Sequence, residues 1–320
     1  MNWKISPKNM NENKTSKYTN SVFEQPWWLD VVAPNIWKEI YVKEGDEILA
    51  RWPIVKNGNC IGMPKMTQTL GFWLSEKITD SDPYYDNRKK ITNLLLEQLP
   101  HNISININLD HNIDYFLPMH WRHFILNPFI SYRINDLTDV NFIYDRFHKE
   151  IKRNIIKANK DVIVKTLDDI EILLLLMDKT FRKQKRKNPI SKDLIRNIYN
   201  ACKYNNAGKL LFAIGKDGNT YSGGLFVYDK NVCYYLIGGT DPIYRSTGAN
   251  SLLIWEGIKF AATVSKSFDF EGSMIESIEN FFRQFGGAPT VYYNIRRQNM
   301  ILELFKLLKP KLKLLIGYNQ

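Results

Sequence analysis

The stretch Tyr234–Ala261, YYLIGGTDPIYRSTGANSLLIWEGIKFA, decides the fold. It opens with an aromatic and aliphatic run ending at Gly238-Gly239, passes through a short loop, and closes in a long apolar segment of helical character from about Thr247 to Val264. A strand that runs through a tight loop straight into a helix puts that loop at the end of a sheet and at the positive pole of the helix dipole. Ser246, Thr247, Gly248 and Ala249 are small enough for backbone N–H groups to approach a phosphate, and Arg245 adds a full positive charge. The expectation is an anion-binding loop that includes Arg245, Gly248, Ala249 and Asn250.

Upstream, KLLFAIGK and TYSGGLFVYD read as two more strands joined by a Lys-Asp-Gly-Asn turn, preceded by helices over Asp168–Lys183 and Lys192–Asn205 and by the strand VIVKTL. Before these, LTDVNFIYDRFHKEIKRNIIKANK predicts one long amphipathic helix starting at Thr138 or Asp139. Its apolar stripe is Phe142, Phe147, Ile151, Ile155 and Ile156, and its cations include Lys152 and Arg153. Downstream, FDFEGSMIESIENFFRQFGG (Phe268–Gly287) predicts a strand with two phenylalanines on one face and Asp269 and Glu271 on the other. A Gly-Ser break, a short helix and a glycine stop follow. TVYYNI adds a strand, and ILELFKLLKPKLKLLIG (Ile301–Gly317) reads as a packed closing helix and strand.

The first half shows a short helix at QPWWLDVV, two strands around a Glu44-Gly45-Asp46 turn, a helix near Tyr85–Leu99, and strands at NISININL and HFILNPFISYRI. Strand meanders with crossover helices predict an α/β chain with a mixed sheet, divided into two units at 1–137 and 138–320.

Composition bounds the function. The 320 residues are 44% hydrophobic and 24% charged, those of a globular protein, and no apolar run approaches the roughly 18 residues of a membrane span. The polar first twenty residues lack a secretory core, and Cys60, Cys202 and Cys233 are sparse and far apart, so a cytoplasmic chain with reduced thiols is expected. The net charge of +11 is uneven: residues 1–140 hold 15 Lys and Arg against 16 Asp and Glu, whereas residues 141–320 hold 29 against 17. An anionic ligand of the second half accounts for this, as does simple surface solvation in a lysine-rich chain. His120-x-x-His123 has no carboxylate or thiol at ligand spacing, so no metal site is expected, and no GxSxG, GxxxxGK[ST] or GxGxxG motif is present.

The strand, Arg245-x-x-Gly248-x-Asn250 loop and helix resemble the GNAT acyltransferase core, whose pyrophosphate loop reads Q/R-x-x-G-x-G/A; Asn250 departs from it. FDFEGSMIESIENFFRQFGG and HKEIKRNIIKANK resemble the closing signature and opening basic helix of the Fem-like and BioF2-like enzymes, in which two GNAT-like units are fused. Phe282 stands where those enzymes often carry a lysine. The resemblance covers residues 140–295 best. It implies two tandem GNAT-like domains, the first degenerate, with a working cleft between them. It also implies transfer of an acyl group, from acyl-CoA or alternatively from aminoacyl-tRNA, to a primary amine of a cell-envelope sugar or peptide precursor. No tightly bound cofactor is implied. A non-catalytic module binding RNA or a glycan precursor is the rival.

Acyl transfer needs a base for the amine and donors for the oxyanion. On this reading Asp269 or Glu271 is the base and Arg283 stabilises charge. Gly238, Gly239 and Thr240 open a strand toward the acyl carbonyl, and Trp73, Lys152, Arg153, Ser273 and Tyr293 touch the acceptor. The plainer alternatives are that the two acids are solvated or paired with Arg296 and Arg297, and that the glycines form a bulge or a helix stop.

Overall fold

The protein is seen in a computed structural model that describes residues 17–79, 83–183, 185, 187–272 and 274–298. In chain order its elements begin with α1 (Pro26–Val32), β1 (Trp37–Glu44), β2 (Glu47–Asn57), β3 (Cys60–Gly62), β4 (Trp73–Leu74), α2 (Glu76–Thr79), α3 (Asp86–Glu97), β5 (Ser104–Asn108) and α4 (Leu117–His120). They continue with β6 (Ile125–Ile134), α5 (Val140–Asp145), α6 (Lys149–Ala158), β7 (Val162–Thr166), α7 (Ile170–Lys183), α8 (Lys192–Tyr204), β8 (Gly208–Gly215), β9 (Thr220–Tyr228) and β10 (Val232–Thr240). After a 3₁₀ turn (Pro242–Thr247) come α9 (Ala249–Val264), β11 (Ser267–Asp269), α10 (Glu276–Arg283) and β12 (Ala288–Arg297). The α/β class and the mixed sheet expected from the sequence are present. The closing segment Ile301–Gly317 lies outside the described residues.

The chain forms two compact units, and they are not consecutive. Among the described residues, one holds those at 17–20, 33–128 and 292–298, the other those at 21–32 and 129–291. The expected cut between 137 and 138 is thus replaced by an exchange of segments, for two physical reasons. In the first unit the end of β12 pairs antiparallel with β5, Asn294 opposite Asn108, which places residues after 291 there. In the second, α1 packs on α8, and Phe23 lies 4.7 Å from the Tyr234 ring. The first unit orders its strands β1-β2-β3-β5-β12, with β4 on β2 and β3 parallel to β5.

The second unit orders its strands β6-β11-β10-β9-β8-β7, with β10 and β11 parallel and the other pairs antiparallel. The predicted single helix over 138–160 is two helices. Asp139 caps α5, accepting from the Asn141 and Phe142 N–H groups, both at 3.0 Å. The chain then breaks at His148, which is extended (φ −58°, ψ 145°) and donates its N–H to the Gln284 carbonyl at 2.8 Å. Burial drives the break, because Phe147 turns into the core against Trp255 and Phe285. Phe142 and Ile156 of the expected stripe are exposed instead, each 59%.

The two Gly-Gly pairs of β9 and β10 have a packing reason that sequence spacing alone does not disclose. Gly223 stands opposite Gly239 and Gly224 opposite Gly238. A Cβ on Gly239 would lie 2.6 Å from the Met177 backbone nitrogen and 2.8 Å from the Leu176 carbonyl carbon, and a Cβ on Gly223 would meet Phe212 at 2.5 Å and Leu176 at 3.2 Å. This pair is the slot into which α7 settles. On the opposite face the second pair makes room for one aromatic ring: Cβ atoms on Gly224 and Gly238 would lie 2.7 and 1.7 Å from Tyr235. A bulge at Leu236, where the β9 register shifts between Tyr235 and Ile237, turns that ring along the sheet. Since α7 touches Gly239 through backbone, Gly239→Ala is expected to destabilise the protein by about 1–3 kcal/mol, read as a lower denaturant midpoint.

Candidate active site

Strands β10 and β11 pair for three residues only, the last being Tyr234 opposite Asp269. Beyond that point they part, and a cavity of about 750 Å³ lies in the opening, lined wholly by the second unit. Its floor is the freed edge of β10 from Tyr235 to Thr240. One end is closed by Arg245, Gly248, Asn250 and Ser251 of the turn into α9, with Lys183 and Thr180 of α7 and Asn154 of α6 beside them. The other end is formed by Phe270 and Glu271 after β11 and by Ser277, Ile278, Phe281 and Phe282 of α10.

Asp269 shapes the second end. Its carboxylate is 3% exposed, accepts from the Ser131 hydroxyl at 2.5 Å, and lies 3.3 Å from Arg133 Nε in an ion pair whose side chains are both 4% exposed. It also accepts the Glu271 N–H at 2.7 Å, a two-residue turn that ends the strand. Glu271 is thereby held at φ +59°, in the left-handed region that costs a non-glycine residue energy. Gly272 follows at φ +25°, where a Cβ would lie 2.3 Å from Ser131 Cα. The expected four-residue strand therefore stops at Asp269, and the two acids have different surroundings. Asp269 is a buried structural ion whose partner is Arg133, not Arg296 or Arg297. Glu271 lines the cavity, and its Oε1 is buried without a hydrogen-bond partner among the described residues. Burial, with the Asp269 charge adding to it, pushes the Glu271 carboxyl well above the usual glutamate range.

Tyr235 brings a second polar group to the cavity floor, its ring running along the sheet with the hydroxyl over Gly238. Its phenol is 8% exposed, has no hydrogen-bond partner among the described residues, and is raised above its ordinary range by burial, so it remains a proton donor. Sequence reasoning gave it no role in the site. Its signal was the Gly-Gly doublet three residues on, which makes room for the ring.

At the loop end, Gly248 (φ +83°) ends the 3₁₀ turn, and a Cβ there would lie 2.3 Å from the Asn154 carbonyl oxygen. Its smallness serves helix packing as well as ligand access. Asn250 Oδ1 sits 3.0 Å from the buried Ser222 hydroxyl, which also lies 3.0 Å from Thr240 Oγ1, so the loop is tied to the floor. The Lys157 ammonium donates to the Ser246 carbonyl at 2.7 Å. Arg245 and Lys183 make no ion pair or hydrogen bond among the described residues, leaving two cations on the wall for an anion.

Gly238, Gly239, Thr240, Arg245, Gly248 and Asn250 thus come together on the cavity wall with Glu271. Ala249 is 1% exposed and turned away, its N–H on Thr247 Oγ1 at 3.2 Å. The expected bulge lies at Leu236, not at the glycines. Arg283 is outside the cavity, its side chain 56% exposed and bonded to Glu279 and Asn280, because the apolar face of α10 turns inward instead. Lys152 donates to the Asp145 carbonyl at 2.8 Å, and Arg153, 75% exposed, faces Glu150; Asn154 from the same helix reaches the wall in their place. Trp73 and Tyr293 belong to the first unit, against Tyr18 and Phe116, and Ser273 lies outside the described residues. Lys183, Tyr235 and the apolar face of α10 were not singled out as site residues from the sequence.

A strand opened by a bulge, a parallel neighbour that splays from it, and a small-residue turn into a helix form one site within the second unit. The sequence pattern of the acetyltransferase (GNAT) domain matches residues 145–273, which fall within that unit. The chain shares the fold of a crystal structure of FemX, with a TM-score of 0.70 and 14% identity over 94% of this chain and 98% of that one. It is similar also to the C-terminal domain (DUF2156) of a putative lysylphosphatidylglycerol synthetase from Agrobacterium fabrum, with TM-score 0.60 and 8% identity over 93% and 95% of the two chains. L-PGS from Bacillus licheniformis gives TM-score 0.53 and 11% identity over 86% and 88%. No curated protein matches the chain in sequence.

The two acids separate in experiment. Removing the charge of Asp269 in Asp269→Asn leaves the Arg133 guanidinium buried without its counter-ion, at an expected cost of about 3–5 kcal/mol in chemical denaturation. For Glu271 the sign is opposite: its folded carboxyl holds a proton that the unfolded chain releases above about pH 4.5, so its contribution to stability falls as pH rises. Glu271→Gln is expected to melt higher than wild type at pH 8, with the gap closing toward pH 4.5.

Proposed function

We propose that the protein is an acyltransferase that moves an acyl group from a coenzyme A thioester to the primary amine of a cell-envelope sugar or peptide precursor. One observation supports this above others: a single cavity joins the two unpaired cations Arg245 and Lys183 at the turn into α9 to the unpartnered Glu271 oxygen beyond the splayed strands. The cations suit the phosphates of the donor, and the freed edge of β10 runs from them to Glu271. An amine enters as ammonium beside Glu271, whose raised proton affinity makes its ionised form a strong base; that form takes one proton from the ammonium and frees the nitrogen lone pair. The nitrogen bonds to the thioester carbon, with the Tyr235 phenol donating to the oxygen that gains charge. The carbon–sulfur bond then breaks, and the second nitrogen proton passes to the leaving thiolate. Among the described lining residues none is a cysteine or histidine, which supports direct attack without a covalent enzyme intermediate.

A polyanionic donor, an aminoacyl-tRNA, is favoured as the second reading by the 29 Lys and Arg of residues 141–320. The non-catalytic rival would gain from both acids sitting in ion pairs away from a cleft; Glu271 lines the cavity instead, which supports the catalytic reading.

Thermal unfolding with coenzyme A, with acetyl-CoA and with charged tRNA, for wild type and Arg245→Ala, tests the proposal. A ligand at 100 times its dissociation constant stabilises by about 2.7 kcal/mol. The expected result is a coenzyme A shift that Arg245→Ala abolishes. A tRNA shift without a coenzyme A shift would transfer the proposal to the second donor. Glu271→Gln is expected to keep the coenzyme A shift and to lose about 10²–10⁴-fold in thiol release with primary amines.

A further inference from the structure

The two ends of the cavity differ in more than charge. The loop end carries the cations, whereas the far end is almost entirely hydrocarbon. Phe270 and Phe282 have ring centroids 5.4 Å apart, Tyr235 and Phe282 meet edge to face at 6.1 Å, and Phe281 continues the wall 5.7 Å beyond Phe282. Leu236 and Ile278 complete the lining there. Ile278 is 40% exposed although it faces this space. Along β10 the two ends are separated by the residues from Tyr235 to Thr240, about 16 Å at the usual rise of a strand. A donor anchored by phosphate at Arg245 and Lys183 therefore carries its thioester to the aromatic end, and the acyl group beyond it enters the apolar space. An acetyl group leaves most of this surface uncovered, and a sugar or peptide placed against it finds only Glu271, Ser277 and the Tyr235 phenol as polar side chains.

We infer that the far end of the cavity is an acyl subsite for a bulky apolar acyl group, an alkyl chain of six carbons or more, and that Phe282 and Ile278 set its size. The inference rests on the acyl-CoA reading above and goes further in naming the class of acyl group. Its physical basis is transfer of the chain from water into a space already walled by apolar side chains, where each buried methylene contributes about 0.8 kcal/mol, roughly a fourfold gain in affinity.

Isothermal titration of the full chain with coenzyme A, acetyl-CoA and hexanoyl-CoA, repeated for Ile278→Trp, tests it. The half-exposed position of Ile278 tolerates the larger ring, which projects into the subsite. Hexanoyl-CoA is expected to bind at least tenfold tighter than acetyl-CoA, and Ile278→Trp to reduce that ratio at least fivefold. If coenzyme A and acetyl-CoA bind but the longer chain gains nothing, the subsite is overturned while the acyl-CoA reading stands. A gain from the chain that Ile278→Trp leaves untouched is adsorption elsewhere and also overturns it. Failure of all three thioester and thiol ligands to bind overturns the donor reading and the inference with it.

Discussion

The second unit turns on the buried carboxylate of Asp269. At the end of a three-residue strand it engages Ser131 and Arg133 of β6 and the N–H of Glu271. Burying such a charge is costly, and the cost is offset only while all three donors stay in place. The same contacts stop the strand, force Glu271 into the left-handed region and press Gly272 onto Ser131. Burial is the main reason that the neighbouring glutamate holds its proton, and the negative charge retained at Asp269 adds to it. One ion pair thus sets the position of the group that faces the cavity and reinforces its proton affinity.

The opening beside that group is a matter of backbone spacing. Helix α7 lies against the Gly223–Gly239 pair, while Tyr235 lies over Gly224–Gly238 on the other face. Side chains at these four positions would lift the helix from one face and the phenol from the other. With the bulge at Leu236 and the end of parallel pairing at Tyr234, they leave the edge of β10 open from Tyr235 to Thr240. Close packing on both faces of the strand and an unpaired edge beside it are therefore parts of the same arrangement.

Similarity at 14% identity or below speaks for the fold, and the side chains of the cavity carry the chemistry. Its two unpaired cations, one protonated carboxyl, one free phenol and an aromatic wall belong to this chain. The wall includes Phe282, at a position where the enzymes it resembles often carry a lysine. A cation there would place charge beside Phe270 and Tyr235; the ring makes that end hydrocarbon.

The strand, loop and helix of Tyr234–Ala261 were legible in the sequence because apolar periodicity, a glycine doublet and a loop rich in small residues are local signals. They placed six of the seven expected donor-site residues on one cavity wall, Ala249 being the exception. The long helix over 138–160 was misread because its periodicity continues through His148, where burial of Phe147 breaks it. Arg283 looked catalytic from its neighbours, yet α10 turns its apolar face inward and its arginine to solvent. By itself the sequence determined the α/β elements, the small-residue turn with its arginine at the entry to α9, and the presence of an acid pair. Only the tertiary structure decided which acid is an ion buried against Arg133 and which is a proton-bearing group in a cavity, and which segments share a unit. Those outcomes depend on groups far apart along the chain, 138 residues in the case of Ser131 and Asp269, whose meeting no local pattern encodes.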